Sequence, residues 1–321
     1  MCIQLDLFPD PLLPSPLSAE ALPQGKKLNQ KDEISALDEM FAASRRYRSS
    51  REYVKPLHFI GRFRKYAPFN CFLLYTQNPE VSYVATAETW RKRFGRRPKP
   101  DARPLVILAP MSPVVFVYDL MDTEGKPVPE RLLDPVGTQG RLAENVLDNT
   151  AHNCTVHGIE LHEMVLGHFH GGSAICLTDI ARKHFKHILR CPDSRYLIVL
   201  KKKHDVEDKY SVLVHELGHI FCGHLGGDPD AWWPNRPGLG KCEVEIEAES
   251  VAFLTCRRKG LISQSDKYLS RYIGEDREIP ALSINTVLQA VSYIEDMGKS
   301  EWEKPRKGRD KREKKEKTSD G

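Results

Sequence analysis

The chain has 321 residues, a formal net charge of +4 and 29% charged residues. That length has room for two domains of ordinary size, each with its own core. No apolar run approaches the roughly 18 residues of a spanning helix, and Met1–Asp10 lacks the basic start of a secretory signal. Eight cysteines without one C-x-x-C pair argue against a disulfide framework and a structural zinc knuckle, and fit a reducing cytoplasm.

The first elements are an arm and a basic domain. Residues 1–30 are rich in proline and leucine without a sustained period, and read as a flexible arm. Ile34, Leu37, Phe41 and Tyr47 recur at helical spacing, which predicts a helix over 31–54. Residues 45–103 then carry fifteen Lys/Arg against four Asp/Glu, a surplus that the small net charge conceals. Within it, Phe69–Tyr75 after Pro68 predicts a buried helix, Val81–Ala85 a short strand, and Ala87–Phe94 a second helix. Arg91 to Pro100 is a basic turn, and Leu105–Ala109 and Val114–Asp119 are a pair of strands. Phe72, Leu73 and Trp90 are expected in the core.

Basic residues interleaved with aromatics suit single-stranded nucleic acid, since cations follow phosphates and rings stack on unpaired bases. The candidates are Arg62, Arg64, Lys65, Arg91, Lys92, Arg93, Arg96 and Arg97. The competing reading is a solvated basic surface over an aromatic core. The order Asn70, Gln77-Asn78, Tyr83, Trp90, Gly95-Arg96-Arg97 and a strand pair resembles the N-terminal domain of ArdC-type antirestriction proteins. The resemblance covers roughly residues 35–125 and implies an α+β domain that binds single-stranded DNA ahead of a zincin-like metallopeptidase domain. The family's lysine-and-glycine turn is replaced here by Arg96-Arg97-Pro98.

Residues 126–150 read as a connector with a short helix at Arg141–Asp148. Strands follow at Met164–His170 and Ala174–Leu177, a helix at Ile180–Leu189, and a strand at Tyr196–Leu200. The strand at Ala174–Leu177 is the candidate edge for holding an extended peptide. His168 and His170 share one strand face but are more simply surface histidines.

The next helix carries His215-Glu216-Leu217-Gly218-His219. Residues i and i+4 share a helix face, so both imidazoles reach one metal ion, and Glu216 can act on water as a base without ligating. His224 is a near candidate for a third ligand. A better one lies in a second helix, Cys242 to Leu254, where Glu245 and Glu249 share a face. Glu245 is the expected ligand, Glu249 the expected acceptor for a ring N–H, and Glu247 the fallback. Four glutamates in seven residues otherwise read as a solvated face.

H-E-L-G-H followed by Glu245-x-x-Ala248-Glu249-x-Val251-Ala252 resembles the ImmA/IrrE zincin-like metallopeptidases over roughly residues 150–260. Two positions depart from that family: Glu249 stands for Asn or Asp, and Val251 for Phe. The resemblance implies His215, His219 and Glu245 as Zn²⁺ ligands and Glu216 as general base. It also implies a compact domain, with the H-E-x-x-H helix packed on a small sheet.

The loop Gly226–Gly240, with Trp232 and Trp233, is expected over the site, and Leu261–Tyr272 and Ser283–Met297 as terminal helices. Tyr210, Tyr268 and Tyr272 are available as oxyanion donors, with nothing to choose among them. Residues 303–321 form a disordered charged tail.

The expectation is therefore an α+β protein of two domains, 31–125 and 151–302. It would act as a cytoplasmic zinc metallopeptidase on a protein substrate, with single-stranded DNA as a second partner. Antirestriction and DNA-associated proteolysis both fit that description. One alternative is an ImmA/IrrE-like peptidase that cleaves a transcriptional regulator, its basic domain binding protein. The other is a non-enzymatic DNA-binding protein with a structural zinc.

Overall fold

The computed structural model describes residues 50–109, 112–128, 140–165, 172–226, 231–263, 265, 269, 280 and 282–303. The expected arm, most of the 31–54 helix, His168, His170, Tyr268, Tyr272 and the charged tail lie outside the described residues, as does most of Leu261–Tyr272.

The fold is mixed α+β. Helix α1 (Ser50–Arg62) and α2 (Pro68–Gln77) precede strand β1 (Val84–Ala85), α3 (Ala87–Phe94), β2 (Arg96–Pro98), β3 (Leu105–Ala109), β4 (Ser112–Asp119) and β5 (Thr123–Gly125). Thr86 caps α3 by accepting from the Thr89 N–H, and Gly95 ends it in the left-handed conformation. Strands β1, β4 and β3 form one antiparallel sheet in that order, and β2 pairs with β5. The basic turn expected at Arg96–Pro98 is thus a strand, held because Arg96 bonds the Thr123 hydroxyl and carbonyl and the Lys126 carbonyl.

Helix α2 covers the open edge of β3 with two side-chain amides. Asn70 exchanges hydrogen bonds with the backbone of Leu108, both 2.9 Å, and Gln77 does the same with Val106, both 2.8 Å. Each amide imitates a neighbouring strand, so the edge is satisfied without one. Phe72 and Trp90 are buried as expected, whereas Leu73 is only half-buried.

Helix α4 (Val146–Cys154) comes next, then β6 (Ile159–Met164), β7 (Gly172–Cys176), α5 (Asp179–Phe185) and β8 (Tyr196–Lys201). One expectation shifts here. The helix expected at 141–148 starts later, at Val146, after Asn145 adopts a left-handed φ of 66°, and buries Val146, Thr150, Asn153 and Cys154 at helical spacing. Strand β6 runs over 159–164, where Ile159 is buried and each residue pairs in parallel with β8, and most of the strand expected at 164–170 lies outside the described residues. β8 is central, β7 is antiparallel to it, and the order is β6-β8-β7.

Three further helices among the described residues are α6 (Val206–Phe221), α7 (Lys241–Lys259) and α8 (Ile284–Met297). Asp205 caps α6, with Glu207 and Asp208 in its first turn, and Gly260 ends α7 behind Arg257, Arg258 and Lys259. Helix α6 lies against β7, β8 and α7, and α7 lies against α1 and α8. One apolar core runs from Leu57 and Ile60 through Ile198 and Leu213 to Phe253 and Val291. No described helix is long and apolar enough to cross a membrane.

Candidate metal centre

Helix α6 brings the two histidines of the motif together. Their Nε2 atoms are 3.2 Å apart. Two nitrogens each about 2.05 Å from a tetrahedral zinc would be about 3.3 Å apart, so this spacing fits a shared ion. Glu245, on the facing helix α7, places Oε2 3.9 Å from His215 Nε2. Ligand atoms of His215, His219 and Glu245 all lie within 4.8 Å of one another. Two imidazoles and one carboxylate are a donor set for a divalent transition metal and leave room for a reactant. Burial, and next the neighbouring His215 and His224, lower the His219 pKa to about 3, so its ring is neutral and able to ligate.

Glu216 is buried beside this group. Its carboxylate accepts the backbone N–H of Ala174, and its Oε1 lies over the backbone of Gly172, both on β7. Desolvation raises its pKa to about 7; the Ala174 hydrogen bond opposes the rise, and Glu245 and Glu249 add to it. A carboxyl group poised near neutrality both takes and returns protons. Glu249 Oε1 stands 3.7 Å from His215 Nδ1, the ring nitrogen that faces away from His219.

Two further residues of the sequence reading, His224 and Glu247, sit behind His219. His224 Nδ1 is 3.1 Å from His219 Nδ1, and His224 Nε2 is 3.0 Å from Glu247 Oε2. Glu247 is wholly buried, and Arg236 grips it through two bonds of 2.7 and 2.9 Å. Burial pushes the Glu247 pKa up, but the bonds from His224, Arg236 and the Ser283 N–H outweigh it and hold it below the usual carboxylate range. Cys222, His224 and Glu247 also cluster like metal ligands. There the guanidinium already supplies the positive charge, and burial pushes the Cys222 thiol far up, away from the thiolate that a metal requires.

Gly223 makes this possible. Its φ of +79° turns the chain back after α6, and a Cβ there would strike the Pro234 carbonyl. The Arg236 N–H bonds the Gly223 carbonyl at 2.9 Å, which pins the Trp232-Trp233 loop against the helix end. Both tryptophans pack downward, Trp233 on Phe221 and Trp232 on Tyr293. Arg236 was the residue that sequence reading missed. Its only signal was a lone arginine between two prolines. Tyr210 is buried in the core near Cys256 and Glu295.

The basic candidates are spread over several surfaces. Arg62 donates to the Val81 carbonyl and stacks on Phe59 and Phe63, and Lys65 bonds the Tyr83 hydroxyl. Arg96 is engaged with β5, Lys92 pairs with Glu88, and Arg97 pairs with Glu124 while remaining 79% exposed. Arg64, Arg91 and Arg93 are exposed.

These features define an α+β protein with a candidate metal centre between two helices and a sheet edge. No protein-family model and no curated protein matches the sequence. Among solved structures, the chain is similar to the metal-free crystal structure of an antirestriction ArdC protein from plasmid R388. The identity is 16% and the TM-score 0.35, with 83% of this chain and 93% of that chain covered. A likeness at that level assigns neither a family nor an activity.

Proposed function

We propose that the chain is a zinc-dependent metallopeptidase, with residues 151–302 as a zincin-like domain. The observation that carries this reading is the meeting of His215, His219 and Glu245 within 4.8 Å, with Glu216 buried beside them. Those three side chains would hold a zinc ion, which would supply Lewis acidity toward a carbonyl oxygen and water. Glu216 takes a proton from water at its carboxylate and returns it to the leaving amine. Peptide is the favoured substrate because β7, an edge strand among the described residues, runs past Glu216 and offers backbone for an extended chain to pair with.

Glu216→Gln tests the reading. The variant should keep one zinc and lose about 10²–10⁴-fold of the cleavage of a quenched casein substrate. Equal cleavage by both zinc-loaded proteins would sink it.

Single-stranded DNA binding by the 31–125 segment is a second part of the proposal, supported by the exposed Arg64, Arg91, Arg93 and Arg97 in a strongly basic stretch. With it the protein is a DNA-associated or antirestriction protease. Without it, the alternative of a peptidase that cleaves a transcriptional regulator is favoured.

A further inference from the structure

We infer that His224 is a positioning residue that fixes His219 in the tautomer whose Nε2 lone pair faces His215 and Glu245. The inference rests on the metal-centre reading above and concerns what holds that centre in register.

The hydrogens along the chain can be assigned in order from its far end. Glu247 accepts from Arg236 Nη1 at 2.7 Å, from Arg236 Nη2 at 2.9 Å and from the Ser283 N–H at 2.8 Å. A carboxylate among three donors is itself only an acceptor. His224 Nε2, 3.0 Å from Glu247 Oε2, therefore carries a hydrogen. Arg236 already balances the Glu247 charge, so a second hydrogen on the buried His224 ring would be an uncompensated charge. With one hydrogen on each ring, His224 Nδ1 is an acceptor, and the nitrogen 3.1 Å from it, His219 Nδ1, must donate. His219 Nε2 is then left with its lone pair on the side where His215 Nε2 lies at 3.2 Å.

The two ligand histidines are held unequally. The His224 and Glu247 side chains are 2% and 0% exposed, so water does not compete for their hydrogen bonds. His215 Nδ1 lies 3.7 Å from Glu249, beyond hydrogen-bond distance, at a side chain 20% exposed. His219 is thus the fixed ligand, and His215 the one free to adjust when an ion enters. The same assignment puts a hydrogen on the His224 nitrogen that faces Glu247, so the Cys222-His224-Glu247 cluster serves the centre in front of it rather than a second ion.

The test uses the full chain, with zinc affinity measured by chelator competition for wild type, His224→Leu and His224→Asn. Loss of the acceptor in His224→Leu should weaken zinc binding about 10–100-fold. His224→Asn, whose Oδ1 stands near the place of Nδ1, should recover most of that loss. Two-bond ¹H–¹⁵N spectra of metal-free wild type read the tautomers without any substitution, and should show Nδ1–H on His219 and Nε2–H on His224. The opposite tautomer on His219, or equal zinc affinity in all three proteins, overturns the inference. Absence of zinc binding by wild type with the expected tautomers overturns the metal-centre reading instead.

Discussion

Gly218 of α6 sits directly against Ala248 of α7: a Cβ at position 218 would lie 3.1 Å from the Ala248 Cα and 3.3 Å from Val251 Cβ. Glycine inside a helix costs about 1 kcal/mol relative to alanine. Here that cost allows the two ligand-bearing helices to approach closely enough for Glu245 to reach His215. Gly218→Ala gains helix propensity and loses contact room, so its melting temperature should move little. Gly218→Val forces the helices apart, at about 1–3 kcal/mol, and should weaken zinc binding as well. Zinc titration of the two variants decides it; unchanged affinity in Gly218→Val would show that the helix spacing does not set the site.

Arg258 ties the basic half of the chain to the helix that carries Glu245. It is 6% exposed and donates to the carbonyls of Phe63 and Tyr66, both at 2.8 Å, while Glu295 on α8 accepts from its Nε at 2.8 Å. Both carbonyls lie in the turn between α1 and α2, outside either helix ladder, and the guanidinium answers them. Removing it strands the Glu295 charge and leaves those oxygens with weaker donors, the Cys71 thiol for both and the Tyr66 N–H for Phe63. Arg258→Ala should cost about 3–5 kcal/mol in urea unfolding, and Arg258→Lys should recover little, because one ammonium cannot span the planar set of acceptors. A loss under about 1 kcal/mol would mean that water replaces it.

Most of what helical periodicity and short motifs encode was legible. Phe69–Tyr75, Ala87–Phe94, the His215 helix and Ser283–Met297 all lie in helices near their expected bounds. The carboxylate face of α7 was legible too, because i and i+4 fix which glutamates meet the histidines. What escaped depends on contacts remote in sequence. Arg96–Pro98 is a strand only because β5 is beside it, and Asn70 and Gln77 gain a purpose only once β3 offers an open edge. Likewise, nothing local reveals that Arg236 neutralises Glu247, since the two meet through a loop turn at Gly223.

The basic residues divide by engagement, which gives a prediction for DNA binding. Arg91 and Arg93 are exposed on α3, whereas Arg96 is spent on Thr123 and Lys126. Phosphate contacts on single strands contribute about 0.7 each to the slope of log K against log salt. Arg91→Ala/Arg93→Ala should lower that slope by about 1.4 for a fluorescent oligonucleotide and leave the melting temperature unchanged. Arg96→Ala should instead lower the melting temperature. A basic surface that binds no nucleic acid would give no salt-dependent binding in wild type.

Two groups near β6 make stability depend on pH on the acid side. Burial lowers the His157 pKa to about 4, while its Nε2 lies 2.8 Å from the Tyr293 hydroxyl. Unfolded histidine titrates near 6.5. The folded state therefore binds fewer protons, and stability present above about pH 6.5 falls as the pH drops toward 4. Glu160 acts lower. Burial pushes its carboxyl up, but bonds from Ser194, the N–H groups of Arg190 and Cys191, and His162 outweigh this and bring it down to about 2. Its contribution is complete above the unfolded value, near 4.3, and fades as the pH falls toward 2. His157→Gln should flatten the loss between pH 6.5 and 4 by up to about 3 kcal/mol. Glu160→Gln should cost about 1–2 kcal/mol at pH 7, and that difference should shrink below pH 4. Urea unfolding at pH 7, 5, 4 and 3 separates the two. An unchanged slope in His157→Gln would mean that the folded ring accepts its proton as readily as the unfolded one.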